Sequence, residues 1–85
     1  MELNIRHLLL SNPRVDQMPA VARQIREEVW KAPQDLHVAA LPLLKALDNA
    51  ANDDLPKVAF KKAQVDLWEF LDVRGVYIPR KKELR

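Results

Sequence analysis

Ser11, His7 and His37 are the side chains that could start a nucleophilic or acid–base mechanism, and none has the neighbours such chemistry requires. Ser11 leads into Asn12-Pro13 and lacks the Gly-x-Ser-x-Gly frame that presents a hydrolase nucleophile. His7 and His37 are far apart in the chain, and neither belongs to a His pair at zinc-binding spacing. His37 falls beside the apolar stripe of its segment, where packing or a surface position is the simpler reading. The adjacent acids Glu27-Glu28 and Asp53-Asp54 read as a solvated helix face and a helix N-terminal cap. Without cysteine there is no thiolate nucleophile, disulfide or Cys-based metal site. A single glycine cannot build a phosphate-cradling loop. The sequence predicts a protein that is not an enzyme, with no metal, no cofactor and no small-molecule substrate.

Binding is the chemistry left, and its clearest signs lie in the segment 56–74. Asp53, Asp54 and Pro56 mark a helix start, and Gly75 stands where a helix ends on a left-handed residue. Ala59, Phe60, Ala63, Leu67, Phe70 and Leu71 fall within roughly 120° of arc, the width of a core-facing stripe. Val58 and Val65 lie opposite that stripe and Trp68 lies to one side, among Lys57, Lys61, Lys62, Glu69 and Asp72. An apolar centre with a charged rim is interface anatomy, and tryptophan is enriched where binding energy concentrates.

The charge order along this helix runs against its dipole: lysines precede Asp66, Glu69 and Asp72. An antiparallel copy of the same helix would set Lys57 against Asp72, Lys61 against Glu69 and Lys62 against Asp66, about a centre near Val65. A two-fold interface has that reciprocity by symmetry. Val58, Val65, Trp68, Lys61, Lys62, Glu69 and Asp72 are the expected partner-binding residues, with the chain itself or another protein as partner. A second patch is expected at Arg23, Arg26 and Trp30, where arginine stacking on an indole could receive an acidic or nucleotide partner. Packing of Trp30 on the turn at Ala32-Pro33 is the plainer alternative.

The elements that must position these residues come from one short chain. Eighty-five residues allow a single domain with a modest core. Threonine is absent and serine occurs once, so strand and turn signals are few. A helix is expected from about Pro19 to Lys31, with Met18, Val21, Ala22, Ile25 and Val29 on one stripe. Another should span Pro33 to Ala50, since Leu36, Ala39, Ala40, Leu43, Ala46, Leu47 and Ala50 hold one helical phase through Pro42. That continuity implies one kinked helix with Pro42 on its outer side. Residues 2–10 read as a short helix, although Leu3, Ile5, His7 and Leu9 also alternate as a strand that Val76-Tyr77-Ile78 could pair with. The expected fold is all-α: a compact three- to five-helix bundle over residues 1–75, with a short basic C-terminal tail at 76–85.

Charge location bears on nucleic acid. Residues 1–75 carry ten Lys/Arg against eleven Asp/Glu, while the tail carries Arg80, Lys81, Lys82 and Arg85 against Glu83. The pI of 9.2 thus belongs to the tail. A rival reading makes the segment 43–70 helix-turn-helix-like, with Lys57, Lys61, Lys62 and Gln64 in a groove and the tail on phosphates. Asp53 and Asp54, at the end that would approach the duplex, oppose it. Leu8-Leu9-Leu10 is too short for a signal-peptide core, and no apolar run nears the ~20 residues of a membrane span. A soluble, cytoplasmic protein is expected: a small regulator or assembly subunit that binds protein, with nucleic acid as the alternative partner.

Overall fold

Prolines open two of the helices and the only glycine closes the last. The computed structural model describes residues 3–76 and 78. Four α-helices follow in order: α1 (Arg6–Leu10), α2 (Met18–Val29), α3 (Gln34–Ala50) and α4 (Pro56–Val73), with a 3-10 turn at Val15–Gln17 leading into α2. The protein is an all-α bundle, and no strand occurs among the described residues. Leu3 to Ile5 carry no regular structure, so the predicted N-terminal helix is real but starts four residues late. The strand alternative for 2–10 has no counterpart there. Tyr77, its proposed partner's centre, lies outside the described residues.

Four of the helix boundaries have a local cause. Ser11 ends α1: its Oγ–H donates to the Leu8 carbonyl at 2.9 Å, and Asn12-Pro13 prevents continuation. Pro19 and Pro56 sit in first turns, where a missing N–H leaves no bond unmade. The Asp53 carboxylate accepts the Leu55 N–H at 3.2 Å, which shapes the turn before α4. The N-cap itself is Leu55, with no side-chain bond, so Asp53-Asp54 sets the approach to the helix rather than its cap. At the other end Gly75 has φ of +77°. Its N–H donates to Asp72 O and the Val76 N–H donates to Leu71 O, both at 3.0 Å. That pair of bonds is a Schellman closure, and buried Val76 and Leu71 supply its apolar contact. Pro42 lies inside α3 and is exposed, as the unbroken apolar phase predicted.

The core gathers Ile25 and Val29 of α2, Leu44 and Leu47 of α3, and Phe60, Leu67 and Leu71 of α4. Full burial of such side chains contributes roughly 1.5–3 kcal/mol each. The most extensive contact joins α3 to α4, then α2 to α3, while α1 bridges α2 and α4. Leu3, Ile5, Leu8 and Leu9 close one side, and Val76 and Ile78 are also buried in the core. The packed body thus continues past Gly75.

Two stripes are rotated from their sequence expectation. On α3 Leu44 is buried while Ala39 and Ala46 face solvent, and on α4 Ala59 and Phe70 are only half-buried while Gln64 is wholly interior. The cause is lateral packing. An amphipathic wheel assumes one apolar neighbour, whereas α3 lies against both α2 and α4, and α4 lies against both α3 and α1.

Candidate functional site

α4 presents two distinct surfaces once its core side is removed. The first is its solvent face. Leu55 (65% exposed), Val58 (64%), Val65 (45%) and Val73 (81%) are open to solvent there. Exposed Lys62 and Glu69 stand among them. At about 100° per residue, Val58, Lys62, Val65, Glu69 and Val73 share an arc of about 80°. Lys62 forms an ion pair with Asp66 at 3.0 Å, one turn along the same helix, and Asp72 is exposed at the edge of the strip. Exposed i,i+4 pairs of this kind contribute little and exchange readily.

Trp68 does not belong to this strip. It is half-buried against the core, and the Arg6 guanidinium covers its ring at 4.7 Å from the centroid. The wheel placed Trp68 to one side of α4, and α1 occupies that side. Val73 and Leu55 were the residues that sequence reasoning missed. The wheel over 56–74 already contains Val73, and starting it one residue earlier brings in Leu55.

The second surface is a cleft on the α1 side of α4. The loop 11–13 faces Lys57, Phe60, Lys61 and Gln64 across a cavity of about 90 Å³. Lys61 Nζ donates to the Ser11 carbonyl at 3.1 Å. Gln64 Nε2 donates to Leu8 O at 2.8 Å and reaches Ser11 O at 3.2 Å. Gln64 is fully buried, so it ties α4 to the end of α1 rather than reaching outward as a groove-reading residue would. Its Oε1 has no hydrogen-bond partner among the described residues. Buried amide oxygens are seldom left so.

The lysines predicted to act together are split. Lys57 and Lys61 line the cleft, while Lys62 stands on the solvent face with Asp66. The basic residues Arg80, Lys81, Lys82 and Arg85 lie outside the described residues. The Arg23, Arg26 and Trp30 patch is also reorganised. Arg26 pairs with Asp48 of α3, and Trp30, half-exposed, stacks on His37 at 4.5 Å between centroids. The His37 Nδ1 lies 3.2 Å from the Ala32 carbonyl, which can only accept, so Nδ1 carries the proton in that bond. Trp30 thus packs on the α2–α3 turn, and Arg23 is exposed.

No helix among the described residues is long and apolar enough to cross a membrane, and no three His, Asp or Glu gather there as metal ligands would. The chain matches no protein-family model, no curated protein and no solved structure.

Proposed function

We propose that the protein is a non-enzymatic protein–protein interaction module, a small regulator or assembly subunit, that works through the solvent face of α4 and associates there with a second antiparallel copy. One observation carries the reading: the order of residues on that face is its own complement when reversed. Val58, Lys62, Val65, Glu69 and Val73 run apolar, basic, apolar, acidic, apolar, centred between 65 and 66. An antiparallel copy sets Val58 against Val73 and Lys62 against Glu69, each twice, with Val65 near its own counterpart at the axis. This register replaces the one drawn from the sequence alone, because Lys61 is engaged by Ser11 and Lys57 belongs to the cleft. The valines supply area removed from water, and the two reciprocal ion pairs set direction and register.

Light scattering on the purified chain tests it. A mass near twice 9.8 kDa is expected, with association weakening modestly as salt rises. Val65→Glu should give a monomer of unchanged helicity. Lys62→Glu and Glu69→Lys should each weaken the dimer, and the double exchange should restore it. A wild-type monomer at every concentration up to the millimolar range would sink self-association.

The helix-turn-helix alternative has less to stand on. Of its four helix residues Gln64 is interior, and the three lysines point to two different sides of α4.

A further inference from the structure

We infer that each copy in the α4 pair carries a socket for the other: the recess bounded by Val15, Leu55, Pro56 and Val58 receives Val73 of a second, antiparallel copy. The inference rests on self-association through α4 and adds to it a site that neither copy completes alone. Its first support is where the open apolar side chains fall. Val15, Leu55 and Val58 are all exposed, and they converge with Pro56 and Lys57 around a recess of about 270 Å³ at the start of α4. Val15 comes from the 3-10 turn ahead of α2, so packing between elements makes this concavity, not one helix face by itself. Contiguous apolar surface left in water marks a place where a partner side chain gains buried area.

The second support is what a reversed copy brings there. The register that sets Lys62 against Glu69 carries Val73 to Val58, which is one wall of the recess. Val73 is 81% exposed, so its own copy covers almost none of it. Asp72 beside it is exposed, and Lys57 is the one charged residue lining the recess, so opposite signs meet at the rim. Two-fold symmetry forms the seat twice, once at each end of the pair, with Val65 at the centre.

Disulfide trapping in the full chain tests it. The sequence has no cysteine, so introduced thiols are the only ones present. Leu55→Cys and Val73→Cys, both at exposed positions, are mixed under mild oxidation and the products sized without reductant. A disulfide requires Cα atoms closer than about 7 Å, so a link reports the seat itself. A covalent heterodimer is expected from the mixture and none from either variant alone, because like positions lie at opposite ends of an antiparallel pair. Val15→Asp, outside α4, should weaken association of the otherwise unaltered chain about tenfold in light scattering. Val73→Cys linking to itself would mean parallel copies and would overturn the socket. A parent dimer that Val65→Glu disrupts, but whose cysteine mixture stays unlinked or whose affinity Val15→Asp leaves unmoved, would overturn the socket and leave self-association through α4 standing. A parent that stays monomeric into the millimolar range removes self-association itself, and the socket with it.

Discussion

Replacing Gly75 with alanine isolates a single physical effect. Its φ is +77°, and a Cβ built there meets no atom within 4 Å, so packing plays no part in the change. What changes is the backbone: an L-residue in the left-handed region costs roughly 1–2 kcal/mol. Against that, losing glycine's freedom in the unfolded chain stabilises by about 0.4–1 kcal/mol. The strain is the larger quantity, and the net expectation is a loss of about 1 kcal/mol. For a domain of this length that lowers Tm by about 4–8 °C. Gly75→Asn should lose less, because asparagine visits this region more readily. Thermal and urea unfolding followed by circular dichroism, at one fixed protein concentration, measure both variants. The fixed concentration matters because self-association would shift the apparent stability. An alanine variant as stable as the parent, or more stable, would refute the reasoning. Gly75 would then not be held left-handed, and the bonds from Gly75 and Val76 back to α4 would not be what turns the chain toward the core.

Three further outcomes follow from local geometry. Pro42→Ala should raise stability by about 1–2 kcal/mol in the same melts, since Pro42 is exposed, removes one bond from α3 and packs nothing into the core. Arg6→Ala should cost about 0.5–1 kcal/mol and shift Trp68 emission to the red, as the guanidinium no longer covers the indole; Trp68 emission unmoved would contradict the stacking. Asp48→Asn should cost at most about 1 kcal/mol, and that loss should disappear near 1 M salt, because both side chains of the Arg26–Asp48 pair are over a third exposed.

Much of the bundle was legible in the sequence because its signals are local. The phase of apolar residues through Pro42 identified one long helix, and Gly75 named the residue that ends α4. The site was less legible. Val58 and Val65 were found on an exposed face because they stand opposite Phe60, Ala63 and Leu67 on the wheel. Trp68, Lys61 and Gln64 were misplaced for one shared reason. Each points toward α1, and nothing in the periodicity of 56–74 reveals that a five-residue helix some fifty positions earlier will lie there.

Local signals in the chain set which segments are helical and where they stop, and they set the apolar side of each helix to within the rotation seen in α3 and α4. Those are consequences of hydrogen bonding within a few residues and of a fixed helical repeat. How the polar side chains of α4 divide between interior, cleft and solvent was settled by the packing of α1 and α3 against it. That division depends on which second element fills the space beside the helix. The docking of α1 buries Gln64, occupies Lys61, covers Trp68 and leaves the valines of the far face to water.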